Sequence, residues 1–469
     1  MENVEKGLQA SFANLAEAYR DRFGEDLTEV SAIGVSGMMH GYLAFDEKDN
    51  LLVPFRTWRN TNAEQAGDEL SALLRFNIPM RWSVSQYYQA VLNKEEHIRD
   101  VAFLTTISGY VHYRLTGKKV IGVGDASGMF PVSEKNYDRE MIGKFNELLR
   151  KHGIEKPFES ILPEILVAGE CAGTLTEEGA RWLDVTGKLK AGCILCPPEG
   201  DGDTGMVATN CVIPGTANVS GGTSGFLLAV LEKPLTSYYK ELDVIHTPHG
   251  IPVVGVHVNN FASEMTAWTN LFEEVIALAG GNVNRDRLFD MLYTKSLEAD
   301  ENCGGLVGYN FLAGEPTVQV ASGSPLIVRA SGGKLNLANF MKMHIYSALG
   351  ALSIGREILA KENVKIDNVY GHGGFFKTAF VGQSAMSAAL GAPITVMSNA
   401  GEGGAWGIAV LALFACLNGA GFESFLTDIF KDAEKTTVAA SEDEKRCFEN
   451  FMKKYKSGLA VERLASEIL

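Results

Sequence analysis

Basic residues are in short supply in this chain: 42 Lys and Arg stand against 57 Asp and Glu, a formal charge of −15. A protein this acidic repels polyphosphates and anionic lipids unless local basic residues or metal intervene, which argues against nucleic acid and membrane as partners. Any phosphate it holds is expected on backbone N–H groups and Mg²⁺. No apolar run approaches the ~18 residues that span a bilayer. The opening Met1-Glu2-Asn3-Val4-Glu5-Lys6 lacks the basic region and apolar core of a secretory leader, so the expected location is cytoplasmic. Cysteine is sparse and odd in number, seven scattered from Cys171 to Cys447, which suits reduced thiols rather than a disulfide framework. Cys193-Ile194-Leu195-Cys196 has metal-site spacing but no second pair, and its Ile-Leu interior reads as a buried strand. His246, His249 and His257 have no cysteine or acidic cluster to complete a zinc site. Walker A sequences, solenoid repeats, heptads and low-complexity tracts are all missing.

What is present is a 469-residue chain, 46% hydrophobic, with 50 glycines, long enough for two or three domains. Val4, Leu8, Phe12, Leu15 and Tyr19 recur at helical spacing, predicting an opening amphipathic helix stopped by Gly24. Then come a strand at Ala32–Val35, a polar turn Ser36-Gly37-Met38-Met39-His40, and a hairpin with arms 42–45 and 51–55. The stretch to residue 190 is mostly helical, interrupted by a polar loop at Gly124–Gly128. A strand-rich block begins at Cys193, which places a domain boundary just before it: 1–190 and 191–469. Near the C-terminus the order is strand 366–370, turn Gly371–Gly374, helix to Leu390, strand 394–397, turn Gly401–Gly404, helix to Leu417. Glycines at the carboxyl ends of alternating strands are how α/β domains build nucleotide crevices.

The run Glu199-Gly200-Asp201-Gly202-Asp203-Thr204-Gly205 precedes a second glycine turn, Ser220-Gly221-Gly222-Thr223-Ser224. A carboxylate held by glycines can take the proton of an alcohol, and a tight turn of N–H groups and hydroxyls can cradle phosphate oxygens. An isolated Gly-Asp-Gly-Asp is more often a surface turn, so the assignment depends on the rest of the chain.

Taken in order, these blocks resemble the FGGY family of carbohydrate kinases over nearly the whole length. Ala32–Gly41 resembles the family's substrate loop, Trp58-Arg59-Asn60 its Trp-Asn-Asp segment, and Leu115-Thr116-Gly117 and Asp125-Ala126-Ser127 follow at familiar distances. Gly202-Asp203 matches the catalytic aspartate motif, Gly222-Thr223-Ser224 the second phosphate loop, and Phe311–Pro316 the segment before the adenosine turns. The Met-His-Gly and Asp-Ala-Ser pieces are most similar to xylulokinases. The resemblance implies a two-domain α/β fold of the hexokinase/actin type, an incomplete N-terminal sugar-binding domain (1–190) and a C-terminal nucleotide-binding domain (191–469). It implies ATP and Mg²⁺ as cofactors, a ketopentose such as xylulose as substrate, and a homodimer as the assembly considered. By the same resemblance Asp203 is the general base, Met39, His40, Trp58 and Asn60 meet the sugar, and Gly222, Thr223, Ser224, Gly373, Gly374, Gly403 and Gly404 meet the nucleotide. The alternative for Trp58 and Met39 is plain packing, and for Glu315 a solvated loop residue.

One family feature is not found. An Asp-x-Gly-Thr phosphate hairpin precedes the substrate strand in relatives, and here the opening helix leads straight into that strand. The first phosphate loop and several central strands are therefore expected to be absent, with sheet edges exposed and turnover very low. A catalytically inactive sugar- or nucleotide-binding protein is the alternative.

Overall fold

A computed structural model describes residues 1–398, 403–417 and 419–468. The chain divides into two units. The first comprises Met1–Val212, Val244–Pro252 and Glu402–Asp432, and the second Ile213–Asp243, Val253–Gly401 and Ala433–Leu469. Residues 191–212, which follow the boundary expected near 190, thus fold with the first unit. Among the described residues no helix is long and apolar enough to cross a membrane.

In the first unit the opening helix, Glu2–Phe23, ends on Gly24 in the left-handed region (φ 77°), as a C-terminal glycine permits. Val4, Leu8 and Phe12 lean on a core built from Leu43, Phe45, Phe103 and Tyr110, while Leu15 is exposed. Short parallel pairings carry the unit's centre: Ala32–Ile33 lies beside Ile194–Leu195, and Ser36–Gly37 beside Glu199–Gly200. The strand reading of the Cys193–Cys196 segment is therefore the observed one. The expected hairpin is looser than its sequence suggests. Leu43–Phe45 pairs antiparallel with Phe103–Thr105, and its own return arm meets it through single bridges, Tyr42 with Arg56 and Phe45 with Leu51, and a bond from the Leu52 N–H to the Ala44 carbonyl. The expected polar loop at Gly124–Gly128 is a buried helical turn, Val123–Ser127.

The second unit is an α/β layer. Consecutive strands of its sheet run 252–258, 225–230, 216–221, 368–372, 394–397 and 435–438. Thr216–Gly221 and Gly225–Val230 form an antiparallel hairpin, and Thr216–Gly221 also runs parallel to Asn368–His372. Helix Leu337–Lys361 is buried along most of its length because its neighbours cover it on several sides. Phe448, Phe451 and Tyr455 of the last helix, Glu442–Ile468, join the same core.

Candidate active site

The parallel register of the first unit brings two chemically distinct turns together. Ser36 is level with Glu199 and Gly37 with Gly200, so both strands end at the same height. One then delivers Met38–Gly41 and the other the helix Asp201–Ala208. The carboxyl ends of neighbouring parallel strands are where α/β proteins place ligands. The backbone N–H of Met39 donates to Asp201 Oδ1 at 3.2 Å, and a Cβ on Gly200 would collide with the Met39 side chain. His40 holds a left-handed backbone (φ 66°), which a non-glycine residue adopts only under constraint. Its ring supplies that constraint, with Nδ1 3.0 Å from the Gly128 carbonyl and its face stacked on Trp82.

Behind this junction lies a buried acidic cluster. Asp203 is 0% exposed, and among the described residues neither carboxyl oxygen has a hydrogen-bond partner. Glu199, also buried, accepts from the N–H of Asp125 (2.8 Å) and Gly124 (3.4 Å). Asp125 Oδ2 accepts from the Thr106 hydroxyl at 2.7 Å and from that of Ser108. Burial disfavours a carboxylate, and neighbouring carboxylates add to the effect. Asp125 is accordingly pushed up to about 7, chiefly by burial, and Glu199 is raised by burial and the Asp125 charge. Asp203 is raised well above the usual range by burial and then by Glu199, Asp125 and Asp201. Thr106, Ser108 and Glu199 were not singled out from sequence; the one signal was the placement of Glu199 in the glycine-rich run.

The remaining sugar-side residues lie on a neighbouring loop. Trp58 is 44% exposed with the Arg59 guanidinium 5.0 Å above its ring. Asn60 accepts from the Asn62 N–H at 2.9 Å and, with Arg56 and Thr57, lines an open basin.

On the second unit, Gly222, Thr223 and Gly374 line a cavity of about 270 Å³, walled by Phe289, Tyr293 and Phe375. Gly373 sits at φ 100°, and a Cβ there would come within 2.5 Å of the Gly221 carbonyl. Two glycine turns thus close on each other and offer N–H groups beside aromatic faces, which fits phosphate oxygens next to a nucleoside. Ser224 closes the turn by accepting from the Gly222 N–H at 3.1 Å. The resemblance also assigns Gly403 and Gly404 to the nucleotide. They begin helix Gly403–Cys416 in the first unit, where Gly404 approaches the Thr204 and Ser36 hydroxyls. Close packing there accounts for Gly404, while Gly403 holds a left-handed backbone (φ 51°); Gly401 and Glu402 of the same turn lie outside the described residues. Glu315 is buried, its Oε2 accepting from Asn260 N and Nδ2, so it is not a solvated loop residue.

Two family models match the chain: the N-terminal domain of the FGGY family of carbohydrate kinases over residues 2–188, and its C-terminal domain over 217–416. The chain belongs to that family. It is a carbohydrate kinase, a phosphotransferase that uses ATP as donor, with the family's two-domain α/β fold. A xylulose kinase of Haemophilus influenzae is 24% identical over 426 residues, covering 87% of this chain and 80% of the relative. A ligand-bound xylulose kinase from Lactobacillus acidophilus superposes with a TM-score of 0.78 at 17% identity, covering 98% of this chain and 90% of that one. A gluconate kinase from the same organism gives the same values. At such identities the structural likeness speaks for the fold alone.

Proposed function

We propose that this kinase phosphorylates a hydroxyl of a ketopentose, xylulose being the candidate, with ATP as donor. The observation that carries the reading is the junction of the Met39–His40 turn with the Asp201–Asp203 turn at adjacent strand ends. The curated relatives named as xylulose kinases support the choice of sugar, whereas the gluconate kinase shows that the fold alone leaves it open. A sugar hydroxyl holds its proton tightly, and a carboxylate within hydrogen-bond reach assists its attack on phosphorus by ~10²–10⁴-fold. The motif assigns that base to Asp203.

Gly222, Thr223, Gly373 and Gly374 would hold the donor's phosphates, with Phe289, Tyr293 and Phe375 against its nucleoside. Among the described residues no group of three or more His, Cys, Asp and Glu side chains is arranged as a metal cage. Mg²⁺ enters the proposal only as a counter-ion carried by the nucleotide's own phosphates and water. The test is a panel of ketoses, aldonates and polyols with ATP and Mg²⁺, following sugar-dependent ADP formation and locating the new phosphate by ³¹P NMR. Xylulose should give the highest kcat/KM. ADP formation independent of every sugar would defeat the reading.

A further inference from the structure

The basin beside the sugar turn carries charge opposite in sign to the chain as a whole. Its wall is continuous with that turn: the Tyr42 N–H donates to the Arg56 carbonyl at 2.8 Å, and a Cβ on Gly41 would lie 3.0 Å from the Phe55 ring. Among the described residues no carboxylate lines it, while Arg56, Arg59, Asn60 and Asn62 do, around a volume of about 550 Å³. That is room for one end of a small sugar. The two arginines are not equivalent. Arg56 is paired with Glu95 and lies over the Tyr42 ring, so its charge is already met. Arg59 is exposed, makes no salt bridge among the described residues, and rests its guanidinium over the Trp58 ring. Stacking uses the flat face and leaves the in-plane fork of N–H groups, the edge that matches a carboxylate in two parallel bonds. Asn60 adds donors: its side-chain oxygen is taken by the Asn62 N–H at 2.9 Å, which leaves the amide NH₂ to donate. The Trp-Asn-Asp segment that this stretch resembles has an acid in third place; here that acid is an amide and a cation precedes it.

Across the sugar turn the sign reverses. The Met39 N–H holds Asp201, and Asp203, Glu199 and Asp125 are buried behind it. An anionic acceptor is repelled from that side and attracted to the basin, so it is oriented with its anion at Arg59 and its far hydroxyls at the junction. We propose that the basin is the carboxylate subsite of a second acceptor class, open-chain sugar acids (aldonates), and that Arg59 is the residue that admits them. This rests on the sugar-kinase reading above and adds a class of substrate to it. The reaction is the same transfer. A hydroxyl oxygen of the aldonate bonds to the γ-phosphorus, and its proton passes to the general base and on to water. The bond from that phosphorus to the β,γ-bridging oxygen breaks, and its electron pair leaves with ADP. The carboxylate takes no part in the chemistry; it holds the chain in place.

The experiment measures ADP formation from ATP with gluconate, xylonate and xylulose in the full chain, for wild type, Arg59→Gln and Arg59→Lys. Wild type should phosphorylate the acids as well as xylulose. Arg59→Gln should lower the gluconate-to-xylulose ratio of kcat/KM by at least ~10-fold, mostly through the KM for the acid, because a charge-assisted pair is lost. Arg59→Lys, which keeps the charge but not the fork, should fall between the two. In wild type, added salt should raise the KM for gluconate and not that for xylulose, since the Arg59 charge is exposed to screening. Xylulose turnover shows that each variant is folded; should Arg59→Gln show none, the salt dependence of wild type decides. Absence of acid turnover in a wild type that phosphorylates xylulose overturns the proposal, and so does an unchanged ratio in Arg59→Gln. If wild type phosphorylates neither acids nor neutral sugars, the sugar-kinase reading itself fails and takes this proposal with it.

Discussion

The carboxyl groups of Glu199 and Asp203 meet over the Cα of Gly124, in the space that a Cβ on that residue would fill. Together with Asp125 they are carboxyls whose folded-state pKa lies above the ordinary value. Folding then stabilises the protonated form, so their stabilising contribution is complete below the usual carboxylate range and is lost as pH rises through the folded values. Asp201, Tyr137 and Cys196 also act on this cluster, none with a positive charge. The melting temperature of the first unit should fall between pH 5 and pH 8. Glu199→Gln, which removes one ionisable group and keeps its shape, should flatten that slope and raise the pH 8 value by on the order of a few °C. A thermal-melt series across pH reads both, and an unchanged slope would show that the cluster does not titrate there.

Gly124→Ala should disrupt the cluster. Its Cβ would stand 2.6 Å from Asp203 Cγ and 2.7 Å from Glu199 Oε2, and relief requires moving two buried carboxyls or the backbone. Overpacking of this kind costs typically ~1–3 kcal/mol. Gly205→Ala is the control: it lies in a helix, nothing stands within 4 Å, and it should stabilise by ~0.4–1 kcal/mol. Denaturant titration of the pair checks the difference in sign.

Gly373→Val should raise KM for ATP by at least about tenfold while leaving sugar affinity nearly unchanged. The position needs a left-handed backbone, and its Cβ would meet the Gly221 carbonyl. Gly374→Ala has open space and should bind ATP with a much smaller change. Separate ATP and sugar titrations by calorimetry distinguish the two, and collapse of sugar affinity alone in Gly373→Val would reverse the assignment of the units.

Glu315→Ala should lower the stability of the second unit by about 1–3 kcal/mol, because Asn260 N and Nδ2 lose a buried acceptor. Glu315→Gln keeps an acceptor and should lose less. Burial pushes the Glu315 carboxyl up to about 7, so the stability advantage of the native protein over Glu315→Ala should narrow at high pH, where the native carboxylate is itself disfavoured. Urea midpoints at pH 6 and pH 8 check this.

The order of strands, glycine turns and helices was legible in the sequence because each glycine run sits where a strand must hand over to a helix without a side chain in the way. Strand 394–397 and the hairpin around Gly222-Thr223-Ser224 follow from that pattern. What the pattern cannot separate is why a turn is glycine-rich. Gly373 yields to a neighbouring turn and lies beside a cavity, whereas Gly404 yields to the hydroxyls of Ser36 and Thr204, and both look alike in sequence. The different exposure of Asp201 and Asp203 was hidden for a related reason: read as a loop, the run has no phase, and only its helical winding assigns an outside and an inside. The partners of Glu199, Thr106 and Ser108 lie far apart in sequence or in an unremarkable helix start, where spacing carries no information about contact.

The first unit is threaded from three separated stretches, ending with Glu402–Asp432. Helix Gly403–Cys416 packs so closely on the helix bearing Asp203 that a Cβ on Gly407 would strike the Thr204 carbonyl. On a ribosome the N-terminal half therefore waits, its buried carboxyls and apolar strands uncovered, while about two hundred further residues are made, which at ~5–20 residues per second is ten seconds or more. Sequences from the second unit emerge during that interval, but its core also waits, for helix Glu442–Ile468. The stretch 403–432 acts as a clasp, so a nascent chain released early would carry a first unit left unfinished, a natural target for chaperones.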